Sequence, residues 1–215
     1  MNIRATSFFT LLTGSLLISA CASKSQAPLS AEAPTVTNPV ATSFKPLGQA
    51  MLDRLAQDEV QRICSEYEGR EVPADLAAQI TAESSSSVVF PVDGNYFGDW
   101  RAGKLIAETG TGLQSNDDPS KPNGGNCYAC HQMAPDEIAY GTLGLPLVNY
   151  GRLRGTSEAI VKYTWTRLWN SHAYNVCSHM PRFGANGVLT EQQLKDVMAF
   201  LFDAESPVNK EVVSP

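Results

Sequence analysis

The stretch Cys127-Tyr128-Ala129-Cys130-His131 constrains this 215-residue chain more than any other. Two thiols separated by two residues and followed at once by an imidazole form the attachment sequence of a c-type haem. The spacing has a chemical reason. Thiols one helical turn apart can add to the two vinyl groups on one porphyrin edge, and the next side chain then lies under the iron as its proximal ligand. Three blander readings stand beside it. A zinc site wants a second ligand pair at similar spacing, and the chain has no second Cys-x-x-Cys. A thioredoxin-like dithiol needs no adjacent histidine and normally follows a βαβ pattern, which this sequence does not offer. The third is a plain structural disulfide.

The amino-terminal residues decide whether haem attachment is chemically reasonable. Residues 1–20 hold one basic residue, Arg4, an apolar run from Phe8 to Ile18, and a small-residue end at Ser19-Ala20. That is an export signal, too short to span a membrane. Cys21 at the cleavage point resembles the lipobox of bacterial lipoproteins, where it would be diacylated and become the mature N-terminus. The alternative is cleavage nearby with Cys21 discarded. Export agrees with haem c, which is attached outside the cytoplasm. Residues 21–45 are mostly Ser, Ala, Thr and Pro, too polar and too irregular to bury a core. They read as a tether whose ends average roughly 25 Å apart. The expected location is the periplasmic side of a bacterial membrane, held by lipid, and Ala22 leans towards the outer membrane. Lys and Arg total 16 against 22 Asp and Glu, a net charge of −6 that argues against nucleic acid as a partner.

Apolar periodicity predicts a helix over 46–68, with Leu47, Met51, Leu55, Val60, Ile63, Cys64 and Tyr67 at three- and four-residue steps. A weaker helix is expected from Ala74 to about Ala82, and another from Asp99 to near Gly110. Beyond the haem motif the chain is irregular as far as Gly151, then helical from about Ser157 to Trp169. Thr190-Glu191-Gln192-Gln193 is a capping box for a last helix with Leu194, Val197, Met198 and Leu201 on its apolar stripe. The expected organisation is a signal at 1–20, a tether at 21–45, a helical extension at 46–95, a core domain at 96–209 and a tail at 210–215. The order of helix, haem motif, middle helix and last helix is like that of class I cytochromes c. The expected fold class is therefore all-α, packed around one covalently bound haem c.

The sixth iron ligand follows from what is available. Met51 and Met198 lie on apolar stripes, and Met133 is too close to His131 to reach the other haem face. Met180 lies in a loop before the last helix, where Pro181 keeps it extended and Gly184 and Gly187 permit sharp turns. His179 is the runner-up; His172 and His179 are otherwise expected to be exposed loop residues. Cys64 and Cys177 most simply pair with each other in an exported protein, stapling the first helix to the Met180 loop; two free thiols are the alternative. Arg152, Arg154, Lys162, Arg167 and Arg182 make 150–182 locally basic, suited either to haem propionates or to an acidic partner.

The segment Met180-Pro181-Arg182-Phe183-Gly184, with Gly187, Leu189 and Thr190, followed by a helix and Glu205-Ser206-Pro207-Val208-Asn209, resembles the SoxX family. These are the monohaem cytochrome c subunits of the bacterial thiosulfate-oxidising system. Gly98-Asp99-Trp100, Gly103, Gly124-Gly125-Asn126, Cys64 and Cys177 fit the same pattern, over roughly residues 46–209. The resemblance implies that Cys127 and Cys130 attach the haem and that His131 and Met180 ligate its iron. It implies a SoxA-type haem c partner that carries the catalytic chemistry, joining thiosulfate to a cysteine of a carrier protein, and a downstream cytochrome as electron acceptor. This chain would then carry no catalytic acid, base or nucleophile. Where family members have Gly-Pro-x-Leu, whose carbonyl orients the proximal imidazole, this chain reads Gly144-Leu145-Pro146-Leu147, and a carbonyl near Leu145 is the expected substitute. Two other functions share the haem residues: a stand-alone lipid-tethered electron shuttle, and a ligand-binding haem sensor with an open sixth position.

Overall fold

The computed structural model describes residues 42–210. The signal, Cys21, the tether as far as residue 41, and residues 211–215 lie outside the described residues. The described chain is all-α: six helices and several single 3-10 turns, with one isolated antiparallel bridge between Leu47 and Ala50 in place of any strand.

The helices are α1 (Glu59–Glu66), α2 (Ala74–Ser86), α3 (Trp100–Glu108), α4 (Tyr150–Arg154), α5 (Glu158–Trp169) and α6 (Glu191–Phe202). The long first helix expected over 46–68 is broken. Gly48 turns with a φ of +56°, a 3-10 turn covers Leu52–Leu55, and a helix begins only where Asp58 and Gln61 form a capping box. Left of that cap the expected core stripe is on the surface, with Met51 54% exposed and Leu47 66%. A left-handed glycine and a strong N-cap outweigh apolar periodicity here. In the other direction, α2 runs through the serines to Ser86, beyond Ala82. Ser86 and Ser87 hydroxyls donate to the Glu83 and Ser84 carbonyls, satisfying groups the helix end leaves free. Helix α4 lies in a stretch the sequence reads as irregular.

The frame is the crossing of α3 and α6. Side chains of α6 are buried all round from Leu194 to Phe202, including Lys195 and Asp196, so its apolar stripe is only part of what packs. Gly103 of α3 lies against the Asp196 backbone and Phe200, where any Cβ would collide. Asp99 caps α3 by accepting from Arg101 N–H at 2.9 Å, while its own N–H donates to the buried Asp196 carboxylate at 2.9 Å. The segment Gly98-Asp99-Trp100-x-x-Gly103 is thus the close-approach face of a helix crossing. The end of the chain closes the frame. Ser206 Oγ donates to the Phe200 carbonyl at 2.5 Å, and Asn209 Nδ2 donates to the carbonyls of Leu201 and Asp203 at 3.0 and 2.9 Å. Asn209 Oδ1 accepts from Gly151 and Arg152 N–H at 2.9 and 3.2 Å. One amide therefore finishes the C-terminal end of α6 and caps the start of α4.

Helix α5 adds the fully buried Trp165, whose indole N–H donates to the Val89 carbonyl at 2.9 Å. Trp169 reaches the Ser87 carbonyl in the same way at 3.0 Å. These two bonds attach the segment after α2 to the core.

Candidate functional site

Cys127, Cys130 and His131 sit where Gly124-Gly125-Asn126 runs beside the end of α3. The N–H groups of Gly124, Gly125 and Asn126 donate to the carbonyls of Thr111, Ile106 and Thr109 at 2.8, 2.8 and 2.9 Å. A side chain on Gly124 would strike Thr109, which is why this strand-like pairing needs glycine. Asn126 then turns left-handed, and Cys127–Ala129 forms a 3-10 turn. The N–H groups of Cys130 and His131 both donate to the Cys127 carbonyl, at 3.1 and 2.9 Å. The thiols are thereby set one turn apart and remain unbridged.

The loop that follows folds back on the motif. Gly141 and Gly144 N–H donate to the carbonyls of Tyr128 and Cys130 at 2.9 and 2.8 Å. The Leu145 carbonyl accepts from His131 Nδ1–H at 2.7 Å. A carbonyl can only accept, so Nδ1 carries a hydrogen, and in the neutral ring the lone pair then lies on Nε2. Gly144 lies against the imidazole so closely that a Cβ would overlap the ring. The ring has its tautomer and its plane fixed by two adjacent residues. Burial pushes the Cys127 thiol up to about 12, so it is a neutral thiol. A catalytic dithiol needs the opposite, a lowered thiol beside cationic groups. Among the described residues no group of three or more His, Cys, Asp or Glu is placed to hold a metal ion.

Met180 is partly buried and packs against the same core as Cys127, Tyr128, Leu147 and Val188. Asn123, just before the motif, donates from Nδ2 to the Val188 carbonyl at 2.9 Å and accepts at its own carbonyl from Gln193 Nε2 at 2.7 Å. The approach to the motif and the segment after Met180 are therefore tied together at the start of α6. Cys64 and Cys177 form a disulfide, with 5.6 Å between their Cα atoms. Five residues past Cys177, on the far side of Met180 and Pro181, Arg182 pairs with Asp58. Asp58 is the N-cap of α1, so one carboxylate both starts that helix and holds the Met180 loop. Partial burial raises this carboxyl, but the bonds from Arg182 and from Gln61 N–H outweigh it and hold it below the usual range. An open groove of about 1060 Å³ runs between Arg54–Val72 and Tyr174–Arg182; it reaches Met180 but is not lined by Cys127, Cys130 or His131.

His172 departs from expectation. It is only 6% exposed, under the Met180 loop, and its Nε2–H donates to the Ser178 carbonyl at 3.2 Å. Burial lowers its pKa, partly offset by that bond. His172 sits in a 3-10 turn over Ser171–Ala173, where the Asn170 side chain accepts from its N–H at 3.2 Å. His179 is exposed. The basic residues of 150–182 do not stand free as one patch. Arg154 and Arg167 lie over Tyr163, Lys162 pairs with Glu158, and Arg182 is turned in to Asp58.

No protein-family model matches the chain. It is 38% identical over 164 residues to an uncharacterized lipoprotein of Aquifex aeolicus (strain VF5), a match that covers 72% of this chain and 74% of that protein. No described helix is long and apolar enough to cross a membrane. At that identity and coverage the chain belongs to the same protein family as this Aquifex lipoprotein.

Proposed function

We propose that this chain is a lipid-anchored electron-transfer protein of the class I cytochrome c type, carrying one haem c and serving as a SoxX-like electron-accepting subunit. The observation that carries the reading is the His131 imidazole held through Nδ1 by the Leu145 carbonyl, immediately beside two unbridged thiols. A ligating histidine is normally fixed in this way at its other nitrogen. The residues present fit the group. Cys127 and Cys130 would attach it, Nε2 of His131 would ligate the iron, and Met180 would supply a thioether as the second ligand. Leu143 and Leu145, which flank Gly144, are 83% and 77% exposed; an apolar body covering them accounts for large side chains left in water beside the motif.

A haem held by histidine and methionine supplies a one-electron couple at raised potential. The chain's own residues would hold it: Cys127 and Cys130 by covalent attachment, His131 with its imidazole fixed by the Leu145 carbonyl, and Met180 as the thioether ligand. The name of the Aquifex relative supports lipidation at Cys21, and export through residues 1–20 agrees with it. The partners in this reading are a SoxA-type haem c subunit, a carrier protein bearing the substrate cysteine, and a downstream cytochrome.

The test is purification of the native protein in mild detergent, with haem staining and mass spectrometry of whatever accompanies it. The expected result is a second haem c polypeptide in fixed ratio, and reduction of this chain's haem by thiosulfate plus the carrier. Elution alone with one haem and no response to thiosulfate assigns the chain to a stand-alone shuttle. Absence of covalent haem overturns the reading.

A further inference from the structure

The Met180 backbone is bound at both of its polar groups by serine hydroxyls. Its N–H donates to Ser178 Oγ at 3.2 Å, and its carbonyl accepts from Ser171 Oγ–H at 2.6 Å. Pro181 offers no N–H of its own, so these two bonds account for the polar groups at this point of the chain. Ser171 is completely buried. A hydroxyl there costs stability unless it is bonded, and it could have turned back on a carbonyl of its own helical turn, as serines often do. Instead it reaches nine residues along the chain to Met180. Ser178 is itself fixed, since its carbonyl accepts from His172 Nε2–H.

We propose that Ser171 and Ser178 are positioning residues for Met180: together they hold its backbone in the setting from which the thioether meets the iron, and so determine how firmly that ligand stays on. This rests on Met180 being the axial ligand. A thioether is a neutral, weak donor, and its retention depends on how little freedom the loop has to carry it elsewhere. The two serines remove that freedom at the ligand's own peptide groups, as outer-shell hydrogen bonds do for ligating side chains.

The experiment uses the full-length haem-loaded protein and compares wild type with Ser171→Ala, Ser178→Ala, Ser178→Thr and Met180→Ala. Two readouts are taken: the rate at which the ferrous protein binds carbon monoxide, and the long-wavelength absorption of thioether-ligated ferric haem. Ser171→Ala and Ser178→Ala are each expected to speed carbon monoxide binding about tenfold, the weight of one buried hydrogen bond, and to weaken the absorption. Ser178→Thr keeps the hydroxyl and should restore both towards wild type. Met180→Ala should abolish the absorption and bind carbon monoxide fastest of all. If Met180→Ala behaves so while both alanine variants match wild type, the positioning role is overturned and the ligand assignment survives. If Met180→Ala leaves the absorption intact, the ligand assignment falls and the inference falls with it. Should Ser171→Ala fail to fold, the pair Ser178→Ala and Ser178→Thr decides alone, because Ser178 lies on the partly exposed loop.

Discussion

His131 and Met180 are held in opposite ways. The imidazole is fixed by the Leu145 carbonyl 14 residues on, by Gly144 against its ring, and by a turn that closes on the Cys127 carbonyl. The methionine loop, besides its local serine bonds, is anchored from far away. Its disulfide reaches back 113 residues to Cys64, and its ion pair reaches back 124 residues to Asp58. The first arrangement forms as soon as a short stretch of chain folds. The second exists only when an extension outside the α3–α6 frame has docked, because closing such a long loop carries an entropic cost that those two links must offset. The Met180 side can therefore be loosened by changes that never touch it, whereas the imidazole itself is set by residues of its own loop.

The largest expected effect comes from cutting the long-range link. Replacing Cys64 and Cys177 together by serine should cost about 2–4 kcal/mol. Amide hydrogen exchange should rise across 171–186 and stay at wild-type levels across 124–147. Equal loss of protection in both stretches would end the distinction drawn here. Next comes Gly144→Ala, which places a methyl where the His131 ring lies. It should cost about 1–3 kcal/mol as an overpacking change, and its exchange signature should be the mirror image: 127–147 exposed, 171–186 unchanged. Smallest is the response to pH. His172 is held below its ordinary value of 6.5, so the unfolded chain takes up a proton that the folded loop refuses. Stability from this site is fully present above about pH 6.5 and is lost as pH falls through the folded value. Asp58, held below 3.8, adds a second loss as pH falls below that, through its own folded value. The thermal midpoint should thus fall in two steps on acidification. His172→Gln should remove the upper step and leave the lower; a wild-type midpoint that is flat between about pH 7 and 5 would remove His172 as a contributor.

The same contrast governs what could be read from the sequence. Local signals were legible: the Thr190 capping box, the helix starting beside Asp99 and the helix expected from about Ser157 to Trp169. The break in the first helix was not, because Leu47, Met51 and Leu55 keep a helical rhythm while Gly48 turns left-handed and Asp58 restarts the chain. Helix α4 escaped because its cap is Asn209, far along the chain, and its own residues carry no start signal; Asn149 adopts a left-handed conformation and contributes no side-chain bond. His172 was misplaced for a related reason. Its burial is decided by Ser178 and by the N-terminal extension docked over the loop, neither of which is written into the residues beside it. In the candidate site, the donor residues are visible as types and spacings. Their supports, such as Leu145 for His131 and Ser171 for Met180, are backbone and hydroxyl contacts whose residue types are too common to announce a role.

The bridge between Cys64 and Cys177 has a topological consequence as well as an energetic one. It makes residues 64–177 a closed covalent ring, and Cys127, Cys130 and His131 all lie within it. A single protease cut anywhere inside that ring opens the circle without releasing a fragment. The nicked molecule keeps both sulfur-bearing segments on one covalent body, and only a reductant can part them; a second cut inside the ring frees just the stretch between the cuts.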